Sequence, residues 1–272
     1  MINSTVSEKI IYSTIRIECT KTNGQKSTGS GYFFAFKRTE KDYVPVIITN
    51  KHVIKNSNSG KLTFTKKNAE GNPIDNEKVD ITINDFERRW TLHPDPEVDL
   101  CFMPFADAVT FLQQKGENIF FIPLETSLIP NQEQIDDLLG IEEIIMVGYP
   151  NGLWDETHNK PIIRKGITAS HPKFDYNGKK EFLIDAACFP GSSGSPVFIL
   201  YEGAFSTKAG GLMGGTKFIF LGTLYAGPQH TATGQIVMTP INNLPTIFTS
   251  IPNNLGLVIK SERIFELEQL VH

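Results

Sequence analysis

Cysteine is scarce in this chain. Its 272 residues hold three, Cys19, Cys101 and Cys188, an odd number at wide spacings. No C-x-x-C pair occurs, which argues against a structural zinc site and against a disulfide framework. Buried free thiols in a reducing compartment are expected instead, and neither a metal nor an organic cofactor is implied. Long apolar runs are also missing. No stretch approaches the roughly 18 apolar residues of a membrane-spanning helix. The N-terminal Met1 to Lys9 has neither the basic start nor the apolar centre of a signal peptide. Positive charge is not in excess: Lys and Arg total 26 against 30 Asp and Glu, for a net charge of −4 and a pI of about 5.9. That excludes a global attraction to nucleic acid or to an anionic membrane. No repeat of 20–50 residues and no low-complexity segment is visible. A cytoplasmic protein with no nucleic-acid and no membrane partner is expected.

What the chain does have is short β-like runs separated by turn residues. Ile10 to Cys19 alternates, as do Leu62 to Thr65 and Val79 to Ile83. Gly31 to Phe36 and Val44 to Thr49 are rich in β-branched and aromatic residues, and Leu100 to Phe105 is a short apolar run. Further strands are expected at Ile119 to Ile122, Ile144 to Val147, Ile162 to Ala169, Phe182 to Ala187 and Pro196 to Tyr201. Phe218 to Tyr225, Gln235 to Thr239 and Leu255 to Ile259 complete the set. Such spacing suggests barrels or sandwiches. Two segments read as helix: Asn131 to Leu139, and Ser261 to Val271 with Ser261 as N-cap. The stretch from about Asp107 to Ile141 separates two groups of strands, so two similar β halves with a site between them are expected.

Three local patterns carry chemistry. Gly191-Ser192-Ser193-Gly194-Ser195-Pro196 sets a serine on a glycine-flanked turn before a strand. A nucleophilic hydroxyl needs such exposure, with backbone N–H groups converging where an oxyanion forms. Thr49-Asn50-Lys51-His52-Val53-Ile54 puts a histidine at the end of an apolar run. Val98-Asp99-Leu100 puts a carboxylate at a strand start, where it can accept from a histidine Nδ1–H and fix its tautomer. The chain order is His52, Asp99, Ser193, the order of chymotrypsin-like proteases and not of subtilisins or α/β-hydrolases.

In these contexts the chain resembles the trypsin/chymotrypsin-fold serine peptidases, in particular the bacterial trypsin-like and Deg/HtrA-type protease domain without a PDZ module. Gly29-Ser30-Gly31-Tyr32-Phe33 resembles the strand ahead of the histidine, and Gly148-Tyr149-Pro150 and Arg164 to Ala169 resemble segments of the second barrel. Leu255 to Ile259 resembles the closing strand. The resemblance implies an all-β fold of two six-stranded antiparallel barrels and a C-terminal helix. Residues 1–107 would form the first barrel with His52 and Asp99, 108–141 the connection, and 142–272 the second barrel with Ser193 and the helix. It implies an endopeptidase working through an acyl-enzyme, with His52, Asp99 and Ser193 catalytic. The N–H groups of Gly191 and Ser193 would form the oxyanion hole, where losing one donor typically costs about 3 kcal/mol.

The resemblance places the substrate pocket at Ala187 and Cys188 for the base and Leu224, Tyr225 and Ala226 for a wall. No acid stands at that base, so cleavage after an apolar residue is expected over cleavage after Lys or Arg. Ser192 replaces the aspartate that receives a freed N-terminus in digestive proteases, so activation by N-terminal clipping is not expected. The segments Trp154 to Pro161 and Glu202 to Thr216 read as loops near the active face. Partners would be a protein or peptide substrate and a regulatory partner. The alternatives are a non-catalytic peptide-binding module on the same fold and esterase-like acyl transfer, which the same residues would serve.

Overall fold

The computed structural model describes residues 4–227, 229–233 and 248–271. The first half contains β1 (Thr14–Lys21), β2 (Lys26–Phe36), β3 (Val44–Thr49), β4 (Ser57–Lys67), β5 (Pro73–Asn84), β6 (Thr91–Leu92), β7 (Cys101–Pro104), β8 (Ile119–Phe120) and β9 (Leu124–Glu125). The second contains β10 (Glu143–Gly148), β11 (Ile162–Thr168), β12 (Glu181–Asp185), β13 (Pro196–Tyr201), β14 (Ala204–Ser206), β15 (Leu212–Gly214), β16 (Lys217–Ala226), β17 (Gln229–Thr233), β18 (Phe248–Pro252) and β19 (Leu255–Lys260). Five short helices punctuate them: α1 (Val6–Ile10), α2 (Lys51–Ile54), α3 (Ala106–Gln114), α4 (Gln132–Asp136) and α5 (Ile264–Glu268).

The second half closes as a six-stranded antiparallel barrel in the order β10-β11-β12-β19-β16-β13. The first half is a nine-stranded sheet in the order β5-β4-β1-β2-β3-β7-β6, with β8 on β4 and β9 on β2. The additional pairs come from the segment between the halves. It carries α3, α4 and the two short strands, and its strands pair back onto the first sheet.

Most expected strands form within a residue or two of their bounds. Residues 10–13 do not. Thr5 Oγ1 accepts from Glu8 N–H at 3.2 Å and Glu8 Oε2 accepts from Thr5 N–H at 2.7 Å. This capping box starts α1, so Ile10 ends a helix and β1 begins at Thr14. Ser261 does not cap the last helix. It is buried in a 3₁₀ turn, and Arg263 holds the N-cap position of α5 without a side-chain bond. The expected strand Gln235 to Thr239 lies outside the described residues. Glu202 to Thr216 forms a hairpin whose hydrogen bonds run to α1, from Val6 and Ser7 to Glu202, and from Lys208 to the carbonyl of Asp136 in α4.

The core has three parts. Phe33, Phe64, Phe86 and Phe105 fill the first sheet, with Ile17, Ile47 and Leu62 among them. Met146, Phe182, Ile184, Val197 and Leu221 fill the barrel. Between the two lies a cluster shared by both halves: Tyr32, Phe34, Phe36 and Ile48 from one side, Val147, Phe198, Phe220 and Ile259 from the other, closed by Ile264 and Leu267 of α5. This explains why β2 reads as a continuous apolar run. Phe33 and Ala35 face their own sheet, while Tyr32, Phe34 and Phe36 face the partner half, so both faces leave water. The Tyr32 hydroxyl hydrogen-bonds Thr223 Oγ1 at 2.8 Å, satisfying the one polar atom this ring buries there.

Candidate active site

The first half presents His52 and Asp99. β3 ends at Thr49, and the single helical turn of α2 turns the chain so that His52 follows the sheet edge. Asp99 precedes β7, which pairs with β3 through Thr49 and Cys101. Strand pairing therefore brings two residues 47 positions apart side by side. His52 Nδ1 lies 2.5 Å from Asp99 Oδ2, and the His52 backbone N–H donates to Oδ1 at 3.1 Å. A carboxylate only accepts, so Nδ1 carries its proton toward Asp99, and in the neutral ring Nε2 is left with the lone pair. The loop before Asp99 is fixed too. Asn50 Nδ2 donates to the Asp99 carbonyl at 2.7 Å and Lys51 Nζ to the Asp95 carbonyl at 2.9 Å. Arg263 pairs with Asp95 at 2.8 Å, tying the loop to the C-terminal segment.

The second half presents Ser193 on a tight turn before β13. Ser192 N–H donates to the Phe189 carbonyl at 2.9 Å, and Ser195 N–H to the Ser192 carbonyl at 3.0 Å. Gly191 and Gly194 both adopt positive φ, 88° and 87°. At Gly194 a Cβ would stand 1.9 Å from the Ser30 carbonyl oxygen, so only glycine fits. Ser192 is buried and accepts a long 3.4 Å bond from Phe189 N–H.

Ser30, on β2 of the first sheet, holds this turn. Its N–H donates to the Ser193 carbonyl at 2.9 Å and its hydroxyl to the Gly191 carbonyl at 2.8 Å. The same hydroxyl accepts from Tyr149 N–H at 2.9 Å, while Thr49 Oγ1 donates to the Ser30 carbonyl at 2.6 Å. In the sequence Ser30 reads only as a strand residue between Gly29 and Gly31; in the structure both glycines are crowded, a Cβ meeting Val53 at Gly29 and Ile17 and Ile47 at Gly31.

The Pro190 carbonyl accepts from Asn151 N–H at 2.5 Å. In a trans peptide the N–H points opposite to the carbonyl, so Gly191 N–H faces away from Asn151. Among the described residues neither Gly191 N–H nor Ser193 N–H has an acceptor. Two backbone donors of the Ser193 turn are therefore unengaged among the described residues.

Of the expected site residues, His52 and Asp99 are joined directly. The hydroxyl of Ser193 donates to the Tyr225 carbonyl at 3.3 Å, and no hydrogen bond joins it to His52. Cys188, Leu224, Tyr225 and Ala226 do line one cavity with Ser193, together with Phe189, Pro190 and Gly227; its volume is about 280 Å³. Ala187 is not on that lining. Residues 182, 184, 186 and 188 are the buried set of this strand and its extension, and alternation turns Ala187 to the other face. Burial pushes the Cys188 thiol up to about 11, so this wall is neutral. Cys19 and Cys101 are likewise buried and free. Trp154 and its loop pack on the first half, with Arg16 and Lys78 over the indole ring. Among the described residues no group of three His, Cys, Asp or Glu could hold a metal ion, and no helix is long and apolar enough to cross a membrane.

Residues 29–205 match the family described as a trypsin-like peptidase domain. That span is well over half of the chain and includes His52, Asp99 and Ser193, and the chain belongs to this family. Among solved structures it is similar to the active form of the Rv3671c protease of M. tuberculosis, at 14% identity and a TM-score of 0.48, covering 96% of this chain and 80% of the other. It is also similar to the HtrA-type protease AlgW with tripeptide, at 16% identity and a TM-score of 0.47, covering 96% of this chain and 60% of that one. No curated protein matches it.

Proposed function

We propose that the chain is a serine endopeptidase that cleaves protein or peptide substrates through an acyl-enzyme. The observation that carries this reading is the His52–Asp99 contact at 2.5 Å, in a chain whose Ser193 stands on a glycine-flanked turn with two unengaged backbone donors. Ser193 Oγ attacks the substrate carbonyl after turning about its Cα–Cβ bond from Tyr225 toward His52. His52 Nε2 takes the hydroxyl proton and returns it to the leaving amine, whose bond to the carbonyl carbon breaks. Asp99 keeps the ring oriented and stabilises the imidazolium. The tetrahedral oxyanion is held by Gly191 N–H and Ser193 N–H. Water then attacks the ester by the same route and releases Ser193.

One observation favours a second reading. The Ser193 hydroxyl rests on the Tyr225 carbonyl, which suits a peptide-binding module or a peptidase held idle until a partner or substrate displaces that bond. Labelling with a fluorophosphonate probe separates the two. The peptidase reading expects labelling that disappears in Ser193→Ala, with hydrolysis of a denatured protein substrate lost in the same variant. Peptide binding with neither labelling nor turnover, with and without added peptide, would establish the binding module instead.

A further inference from the structure

One charge beside the pocket is unassigned. The strand β11 alternates, with Ile163, Lys165 and Ile167 exposed and Ile162, Arg164 and Gly166 turned to the other face. Ile167 pairs with Asp185 and Thr168 with Ile184; continued along the strands, this antiparallel register sets Arg164 opposite Cys188. The close approach there is real: a Cβ on Gly166 would stand 2.9 Å from Ala186 Cβ. The Arg164 guanidinium lies 5.1 Å from the centroid of the Phe189 ring. Its Nε is buried and has no hydrogen-bond partner. Cys188 and Phe189 are themselves walls of the cavity that Ser193 lines.

The other partly buried arginines are paired. Arg16 meets Glu18, and Arg263 meets Asp95 and Glu266. Among the described residues Arg164 has no carboxylate within ion-pair distance. Taking a cation partly out of water without a counter-charge is costly, and a carboxylate entering the site would recover that cost through charge-assisted hydrogen bonds. Nothing on the cavity lining supplies one. Asp185 acts on Cys188 electrostatically but makes no bond to Arg164, and it is exposed at the end of β12. The segment 228–252 contains no Asp, Glu, Lys or Arg.

We propose that Arg164 is a specificity determinant that selects an acidic side chain, glutamate in particular, at the substrate residue whose carbonyl Ser193 attacks. The inference rests on the peptidase reading of this site. It also replaces the apolar preference expected from sequence: the absence of an acid at the base disfavours Lys and Arg, while the guanidinium behind Cys188 and Phe189 adds a reason to accept a carboxylate. The pocket of about 280 Å³ has room for a glutamate side chain.

The test compares peptide substrates that differ only in Glu or its uncharged isostere Gln at the cleaved position. A site built to pair a buried polar group rejects the isostere strongly, so kcat/KM for Glu should exceed that for Gln by about 10²-fold. In Arg164→Gln the ratio should collapse to near unity, with a melting temperature close to that of the wild type as evidence of an intact fold. Arg164→Lys should restore part of the ratio. A wild-type ratio near one, or an unchanged ratio in Arg164→Gln, overturns the assignment. A second readout needs no turnover. Dye-labelled peptides with Glu or Gln at the same position are titrated into Ser193→Ala with and without Arg164→Gln. No labelling of the wild-type protein, together with preserved, Arg164-dependent binding of the Glu peptide, would remove the peptidase reading and leave the acid-selective pocket standing. Labelling with no Arg164-dependent preference would do the reverse.

Discussion

His52 and Asp99 sit on one half of the molecule and Ser193 on the other, and the two sides of the crevice are held in different ways. The first side is anchored locally. A strand pair and one helical turn set the imidazole against the carboxylate, and Asn50, Lys51 and Arg263 fix the loop behind it. The second side is anchored at a distance. The turn carrying Ser193 has its own backbone bonds, but its carbonyls at Gly191 and Ser193 are held by Ser30 from the other half. The difference teaches that the orientation of the imidazole is a property of one half, while the shape of the serine turn depends on how the halves dock.

Breaking the first side should give the largest effect on catalysis. In Asp99→Asn the side-chain amide can present its N–H to Nδ1, which forces the proton onto Nε2 and removes the base. The expected result is a fall in kcat of about 10⁴-fold with little change in KM. Steady-state kinetics on the best peptide substrate check it. The contacts to the backbone N–H of His52 and from Asn50 survive in this variant, so the melting temperature should move little. A drop in activity matched by a comparable loss of stability would show instead that Asp99 is chiefly structural.

Breaking the second side should act on stability and activity together. Ser30→Ala removes a donor to the Gly191 carbonyl and an acceptor for Tyr149 N–H, both in a buried setting. Leaving such groups unpaired costs about 1–3 kcal/mol each. Denaturant titration should show destabilisation of that order. Activity should fall through kcat, because the Gly191 peptide, proposed to present an oxyanion donor, is no longer fixed. Ser30→Thr keeps the hydroxyl, and its added methyl tests how tightly the halves close. If Ser30→Ala left both stability and kcat unchanged, the proposed dependence on docking would be wrong.

How much of this was readable from the residues follows the same division. The contexts of His52, Asp99 and Ser193 were legible because each borders an apolar run, next to the terminus of a strand. The bounds of β3 and β13 follow from their mainly β-branched and aromatic composition. Helix α1 was legible in principle through Thr5 and Glu8, but the alternation from Ile10 onward masked it, since Ile10 serves equally as the buried end of a helix turn. Of the two short strands added to the first sheet, Ile119–Phe120 was legible within the expected run Ile119 to Ile122, whereas Leu124–Glu125 was not: a two-residue run acquires strand geometry only from the sheet it joins. Nor could sequence show that the Ser193 hydroxyl donates to Tyr225, or that Arg164 stands behind Phe189. Both depend on side-chain directions at the end of the closed barrel.

The smallest effect concerns pH and again falls on the first side. His93 opens the loop that leads to Asp99, and it is buried. Its Nδ1 accepts from Asp95 N–H at 3.1 Å, and its Nε2 faces Glu266 at 3.4 Å across from Arg263 and Lys51. Burial lowers its pKa below the ordinary value of 6.5; Glu266 pulls the other way, and the cations Arg263 and Lys51 add to the lowering. The unfolded chain therefore binds a proton at this site before the folded one does. Its contribution is fully present above the unfolded pKa and is lost progressively as pH falls from there toward the lowered folded value. His93→Asn, an uncharged replacement that can still accept from Asp95 N–H, should flatten the stability–pH curve just below about pH 6.5. The change should follow the loop. Amide exchange at Asp95 to Leu100 should quicken in the wild type as pH drops through that window, after correction for intrinsic rates, while the Ser193 turn keeps its protection. Equal loss of protection in both regions would mean that the acid loop and the serine turn open as one unit, and that the two sides of the crevice are not held independently.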